Sequence, residues 1–156
     1  MPRWNQGSAV IDRLLEQRQL QHVPADSPTV GALIASSRRH VATASGSTTS
    51  DPEAAYSLAY DAARKAATAL LTHQGLRPTS LGGHIAVIEA LDAQFPAVPG
   101  LKSLDRLRRR RNQSEYPDPA GYDPVTADEA EEAITVANQC IDSATKLLTT
   151  PQLGVY

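Results

Sequence analysis

The sequence has a single cysteine and lacks any long run of apolar residues. Cys140 has no partner for a disulfide within the chain, and we expect it to pack inside a helix rather than to act as a reactive thiol. No apolar segment is long enough to cross a bilayer or to form the core of a signal sequence. We therefore expect one domain that acts in the cytoplasm, without a membrane anchor.

Recognisable site motifs are also scarce. The four histidines are scattered, and none has a second histidine or a cysteine at the spacing of a metal site. There is no phosphate loop, dinucleotide fingerprint or nucleophile elbow, so we expect neither a metal ion nor another cofactor. Gly82 and Gly83 precede a predicted helix, where a tight turn is favoured over an anion site. His84 is expected to cap this helix or to form an interhelical hydrogen bond rather than to act in catalysis.

The net charge of −2 argues against broad, nonspecific attraction to nucleic acid or to membranes. Any polyanion must therefore contact a local group of arginines, and four arginines follow one another at 108–111. The leucines before them, Leu101, Leu104 and Leu107, recur at helical spacing and predict a buried face. The same face continues in polar form through Arg108, Arg111, Asn112 and Glu115. Arg109 and Arg110 point elsewhere and are predicted to be solvated.

Helical periodicity extends along most of the chain, and no segment shows the alternation of a β-strand. A long helix is predicted from Ser50, its expected N-cap, to Gly75, with Glu53 completing a capping box. Thr126 and Glu129 form a second capping box in front of the last helix. The predicted fold is all-α, an antiparallel four-helix-type bundle with amino-terminal helical additions. We divide it into an arm at 1–49, the bundle at 50–150 and a tail at 151–156.

Two segments of the predicted bundle carry a resemblance to a known family. The first is YDAARKA at 60–66, and the second is Arg111-Asn112 followed by Glu115-Tyr116-Pro117. Together they resemble the HEPN superfamily, the nucleotide-binding helical domains of higher eukaryotes and prokaryotes, many of which are ribonucleases. The likeness is to an actinobacterial-type branch with an RN-x-x-EY signature, and it covers Ser50 to Leu148.

The resemblance implies metal-independent cleavage of RNA, in which the ribose 2′-hydroxyl attacks its own phosphate. Arg111 would stabilise the charge that develops on the phosphate oxygens. The implied catalytic residues are Arg111, Asn112, Glu115 and Tyr116, and the implied nucleotide- or RNA-binding residues are Arg108, Tyr60 and Arg64. The resemblance also implies a homodimer with a composite site, a nucleotidyltransferase or antitoxin partner, and a role in a toxin-antitoxin or defence system.

The family's motif ends in a histidine, and Tyr116 occupies that position here. An unperturbed tyrosine phenol has a pKa of about 10, so it exchanges protons poorly at neutral pH. Two alternatives to cleavage therefore stay open. One is a noncatalytic dimeric module that binds a nucleotide, RNA or a partner protein. The other is a structural role, in which Arg111 pairs with Glu115 at i,i+4 beside an Asn112–Tyr116 hydrogen bond.

Overall fold

The computed structural model describes residues 4–156, and helices make up most of this range. Its α-helices are α1 (Ser8–Glu16), α2 (Ser27–Ser45), α3 (Pro52–His73), α4 (Gly83–Gln94), α5 (Leu104–Glu115) and α6 (Ala127–Leu148). A short 3-10 turn, Leu101–Ser103, leads directly into α5. The predicted all-α fold is confirmed. No helix in this range combines the length and the apolar character that crossing a membrane requires.

Helix α3 forms the centre of the bundle. Most of its inward positions are alanines that are fully buried, and small side chains let neighbouring helices approach closely. Helices α2 and α6 pack along most of its length, and α4 and α5 contact it over shorter stretches. Tyr60, Leu70 and Leu71 are the large side chains that α3 buries completely. The centre of the bundle therefore places Tyr60 where α4 and α5 can reach it.

The two long helices of the bundle begin at side-chain caps. At α6, the predicted capping box is confirmed: Thr126 Oγ1 accepts the Glu129 N–H at 3.1 Å, and Glu129 Oε2 accepts the Thr126 N–H at 2.9 Å. At α3, the N-cap is Asp51, whose carboxylate accepts the Ala54 N–H at 3.1 Å. The predicted cap at Ser50 was therefore wrong by one residue. Proline, which has no N–H, occupies the first helical position, so the residue before it becomes the cap.

Two strands of three residues were not predicted. β1 (Leu20–His22) and β2 (Leu76–Pro78) pair antiparallel, with Leu20 opposite Pro78 and His22 opposite Leu76. The expectation that the chain has no strand was wrong, because three residues are too few to show an alternating pattern. Gly75, just before β2, has a φ of +74° and ends α3 as predicted. The ribbon thereby joins the segment after α1 to the segment before α4.

The amino-terminal segment and the last residues both dock on the bundle. Helix α1 packs against α4, and the Trp4 ring lies 5.3 Å from that of Phe95 at the end of α4. At the other terminus Leu153 is buried, and the Tyr156 N–H donates to the Gln74 carbonyl at 2.8 Å. Helix α2, which precedes residue 49, packs along α3 as part of the bundle. The division of the chain at residue 49 stays a prediction.

Candidate functional site

Helix α5 buries the leucine face that its spacing predicts. Leu101, Leu104 and Leu107 are at most 3% exposed, which confirms the prediction. Arg111 follows one turn after Leu107 on the same side, and its side chain is only 22% exposed. The inward face then ends at Ser114, which is buried. Because these residues face α3, the Arg111 guanidinium group lies over the ring of Tyr60.

Three arginines surround Tyr60 and His84, and we call Arg64, Arg108 and Arg111 the guanidinium cluster. The Arg111 Cζ lies 5.6 Å from the centre of the Tyr60 ring, within the range of a cation–π contact. The Tyr60 hydroxyl lies 3.1 Å from Nδ1 of His84, across the interface of α3 and α4. The structure thus brings residues from α3, α4 and α5 to one place.

The positive charge of the guanidinium cluster acts on its two uncharged neighbours, Tyr60 and His84. Burial raises the pKa of Tyr60, and the charges of Arg64 and Arg111 oppose that rise. Loss of water contact lowers the pKa of His84, and Arg64 and Arg111 lower it further. His84 is therefore predominantly neutral at pH 7, and Tyr60 keeps its proton.

Each arginine of the cluster has an acidic neighbour on its own helix. Arg108 binds Asp105 through Nε at 3.1 Å and through Nη2 at 3.0 Å. Arg64 Nη2 lies 3.7 Å from Asp61, which is too long for a hydrogen bond. The predicted Arg111–Glu115 ion pair is present, with Nε 3.0 Å from Glu115 Oε1. These pairs hold the guanidinium groups without satisfying all of their N–H donors.

Two of those donors are buried and have no hydrogen-bond partner. Within residues 4–156, the buried side-chain nitrogens without a hydrogen bond are Trp4 Nε1, Arg64 Nε and Arg111 Nε. For Arg111, the short distance to Glu115 is therefore an ion pair whose N–H is not directed at the oxygen. A buried donor without an acceptor costs about 1–3 kcal/mol. Both arginine donors belong to the guanidinium cluster, which makes the cluster a candidate site for an anion.

Tyr116, another residue of the predicted catalytic set, lies on the surface. Tyr116 is 79% exposed at the end of α5, and its side chain has no hydrogen bond within residues 4–156. Asn112 and Tyr116 are joined by a main-chain bond, in which the Tyr116 N–H donates to the Asn112 carbonyl at 3.0 Å. The expected Asn112–Tyr116 hydrogen bond is thus a main-chain bond at the end of the helix, and no side-chain hydrogen bond joins the two residues within residues 4–156. The motif tyrosine is thus displayed to solvent.

One predicted feature of the arginine run was wrong. Arg109 is solvated as predicted, with a side chain 72% exposed. The Arg110 side chain is only 15% exposed, and it donates to both carboxylate oxygens of Glu129, at 3.2 and 3.1 Å. A helical wheel of α5 alone does not show that the start of α6 covers this flank. Arg110 therefore fixes α5 to α6 and is not available to a ligand.

His84 was predicted either to cap α4 or to form an interhelical hydrogen bond, and the bond to Tyr60 is the second of these. Its place beside three arginines was not predicted, because nothing in the sequence links residue 84 to 60 or to 111. The backbone before it is tightly packed, since a Cβ on Gly82 would lie 2.3 Å from the Gln19 carbonyl oxygen. That contact agrees with the tight-turn interpretation of the glycine pair.

Other site types find little support in residues 4–156. No group of three or more histidine, cysteine, aspartate or glutamate side chains there is arranged to hold a metal ion. Cys140 is fully buried, and burial raises the pKa of its thiol to about 12. The thiol therefore packs as predicted and lacks the thiolate character of a reactive group.

Comparison with known proteins gives a family. A model of the HEPN domain matches residues 33–147, from within α2 to the end of α6. No curated protein and no solved structure matches the chain. The matched range contains every residue of the guanidinium cluster together with Tyr60 and His84. HEPN domains are associated with RNA or bind nucleotides. The match covers most of the sequence, and the chain belongs to the HEPN domain family.

Proposed function

We propose that this protein binds RNA through its guanidinium cluster and cleaves it without a metal ion. The observation that carries the proposal is the pair of buried, unpartnered Nε–H groups of Arg64 and Arg111. Phosphate oxygens are acceptors of the required charge, and guanidinium groups bind them with paired N–H donors. A bound phosphate would satisfy both groups and place a phosphorus atom beside Arg111.

The proposed reaction is transesterification within the RNA strand. The ribose 2′-oxygen forms a bond to phosphorus, the bond from phosphorus to the 5′-oxygen breaks, and a 2′,3′-cyclic phosphate remains. Arg111 stabilises the negative charge that grows on the other phosphorus oxygens, which is the role that electrostatic catalysis requires. Glu115 holds Arg111 in position through their ion pair, and Asn112 contacts the substrate next to it. Arg64 binds the same phosphate as Arg111, and Arg108 binds a flanking phosphate.

The proposal includes a homodimer. HEPN domains often act as dimers, and the RN-x-x-EY signature resembles that of an actinobacterial-type branch, for which a composite site is expected. The α5 helices of two protomers would then face each other across a two-fold axis. The apolar side chains of Leu81 and Ile85, at the start of α4, and of Tyr116, at the end of α5, are 59–79% exposed and offer surface for that contact. An adjacent nucleotidyltransferase or an antitoxin would complete a toxin-antitoxin or defence system.

Cleavage of a panel of RNAs in the presence of EDTA tests the proposal. The wild type should cleave, and Arg111→Ala should be slower by about 10²-fold or more, since it loses a charge at the developing oxyanion. Arg109→Ala is the matched control, because Arg109 lies on the same helix and is 72% exposed. Circular dichroism and thermal melting establish that each variant is folded. Intact RNA with the wild type, or full activity of Arg111→Ala, would refute cleavage at this site.

A second candidate function is a noncatalytic module that binds RNA or a nucleotide through the same cluster. The exposed position of Tyr116 favours it, because the motif position of the family's histidine then contributes nothing to the chemistry. Fluorescence anisotropy of a labelled RNA at several salt concentrations separates the two functions. Each lost contact to a single-stranded phosphate should reduce the slope of log affinity against log salt by about 0.7. The noncatalytic module would be established if the wild type binds RNA without cleaving it and Arg111→Ala shows the reduced slope.

A further inference from the structure

Cleavage of RNA requires a group that takes a proton from the 2′-hydroxyl, and the residue at the motif position does not supply it. Tyr116 lies at the exposed end of α5. We propose that His84, from α4, is the catalytic proton acceptor of this site. The proposal rests on the function proposed above and assigns to a different helix the role that the family's motif histidine would have.

Geometry is the first argument for His84. Its Nδ1 lies 3.1 Å from the hydroxyl of Tyr60, a residue with no exposed surface, so the imidazole ring is anchored from inside the bundle. The other ring nitrogen, Nε2, has no hydrogen-bond partner within residues 4–156, and the residue is exposed. One nitrogen therefore orients the ring while the second is available to a substrate. This division of roles is typical of histidines that transfer protons.

The backbone that carries His84 is held as firmly as its ring. His84 lies in the first turn of α4, directly after Gly82 and Gly83. Gly82 touches the Gln19 carbonyl so closely that no larger residue fits there, and Ala86 of the same turn is fully buried. A group placed by packed backbone keeps a fixed distance from its substrate, which proton transfer requires.

Charge is the second argument. The charged groups that act on His84 are Arg64, Arg108 and Arg111, which favour the neutral ring, and Asp61, which opposes them. Loss of water contact is the largest influence, and together these effects lower the pKa of His84 below its usual 6.5. A neutral imidazole can accept a proton at pH 7. The same arginines bind the phosphate, so the acceptor and the scissile group meet at one place.

The proton transfer balances with groups that the site and water provide. Nε2 of His84 takes the 2′-hydroxyl proton as the 2′-oxygen bonds to phosphorus. The departing 5′-oxygen takes a proton from water, and the hydroxide so formed takes the proton from the imidazolium ion. The transfer uses the tautomer that carries its proton on Nδ1, and in this tautomer Nδ1–H donates to the Tyr60 oxygen, since a hydroxyl group is an acceptor as well as a donor. The enzyme thus returns to its starting state.

The decisive comparison is between His84→Asn and Tyr116→Phe in the full chain. Asparagine keeps a polar group near the Tyr60 hydroxyl but cannot accept the proton. We expect His84→Asn to slow cleavage by about 10²- to 10⁴-fold with little change in RNA affinity, and Tyr116→Phe to lose less activity than His84→Asn. His22→Asn, a change of an exposed histidine on the ribbon, is the matched control and should cleave like the wild type. In the wild type kcat/KM, which reports the free enzyme, should rise with pH to a plateau with a midpoint below 6.5, and His84→Asn should lose that rise.

A second measurement does not depend on turnover. Nitrogen-15 NMR of the ring follows the titration of His84 with and without an oligonucleotide whose 2′-hydroxyls are replaced by hydrogen. The phosphate charge should raise the pKa of His84. An unmoved His84 signal in the saturated complex would overturn the proposal.

The outcomes separate the two proposals. Cleavage that is lost in Arg111→Ala but retained in His84→Asn would overturn the role of His84 and leave the proposed function standing. Loss of activity in Tyr116→Phe, with full activity in His84→Asn, would assign the proton transfer to Tyr116, at the motif position, instead of to His84. If the wild type binds the oligonucleotide and never cleaves RNA, both cleavage and proton transfer by His84 are refuted.

Discussion

Replacing Glu129 with alanine should lower the free energy of unfolding by about 2–3 kcal/mol. The Glu129 carboxylate accepts from Arg110 Nε at 3.2 Å and from Nη2 at 3.1 Å, and it also accepts the Thr126 N–H at 2.9 Å. The substitution removes all three bonds at once. It also leaves the Arg110 guanidinium, whose side chain is 15% exposed, without its carboxylate.

The magnitude follows from these contacts. A hydrogen bond to a charged group contributes about 1.5–3 kcal/mol when it is buried. The Glu129 side chain is 38% exposed, so water screens the pair, and about 1.5–2 kcal/mol is the appropriate value for both bonds together. The main-chain bond of the capping box adds about 0.5–1 kcal/mol. Arg110 keeps a bond to the Asp123 carbonyl at 3.1 Å, which limits the loss.

Urea unfolding followed by far-ultraviolet circular dichroism measures this loss at pH 7. Two controls divide it into its parts. Thr126→Ala removes the capping hydroxyl alone and should lower the free energy of unfolding by about 1 kcal/mol. Glu132→Ala removes an ion pair with Arg106 in which both side chains are more than half exposed, and should change the free energy of unfolding by less than about 0.5 kcal/mol.

The dependence on pH has a definite sign. Hydrogen bonds from Arg110 hold the pKa of Glu129 below its ordinary value of 4.5. A depressed pKa adds stability above the pKa of the unfolded chain, and that stability is lost as pH falls through the folded value. The difference between wild type and Glu129→Ala should therefore be largest at pH 7 and shrink below about pH 4.5. A loss under about 0.5 kcal/mol at pH 7, or one that persists unchanged in acid, would refute this account of the α5–α6 contact.

Three further predictions concern packing. Gln74 and Gln94 exchange two buried amide hydrogen bonds, at 2.7 and 3.1 Å, so either single change to leucine should lower the free energy of unfolding by about 1–3 kcal/mol. In urea unfolding the double change should cost less than the sum of the single changes, and simple additivity would contradict the pairing. Cys140, with a thiol pKa of about 12, should react with an aromatic disulfide reagent only after denaturant is added. Rapid labelling of the native protein would show that the thiol is not buried. Gly82→Ala should lower the free energy of unfolding by about 1–3 kcal/mol because its Cβ would meet a carbonyl oxygen. Gly31→Ala, in open space within α2, should not destabilise the protein. Equal melting temperatures for the two variants would argue against the close contact.

The sequence predicts the helices and their inward faces because each depends on residues close together in the chain. The buried leucines of α5 follow from their spacing, and the capping box at Thr126 follows from two residue types three positions apart. Arg110 shows the limit of that reasoning. Its burial depends on Glu129, which a loop brings alongside from the next helix. Periodicity in one helix carries no information about which flank a neighbour covers.

The contacts of the candidate site also divide into those that the sequence predicts and those that it does not. Arg111 and its ion pair with Glu115 are predictable from a spacing of four residues. The contacts of Tyr60 with Arg111 and with His84 are not, because they join three helices whose relative placement is set by packing. The resemblance to HEPN domains pointed to α5 through Arg111 and Asn112. It could not identify a histidine that lies outside the family's motif.

The pairing of β1 with β2 also bears on how the chain folds. The ribbon encloses residues 23–75, which contain the whole α2–α3 hairpin. Closing a loop of that length from a disordered chain is entropically unfavourable, but a formed hairpin already holds its two ends near each other. The ribbon should therefore form after α2 has docked on α3, and hydrogen exchange of its amides should be no slower than that of the α3 core. Because α4 begins a few residues after β2, His84 should reach Tyr60 late in folding.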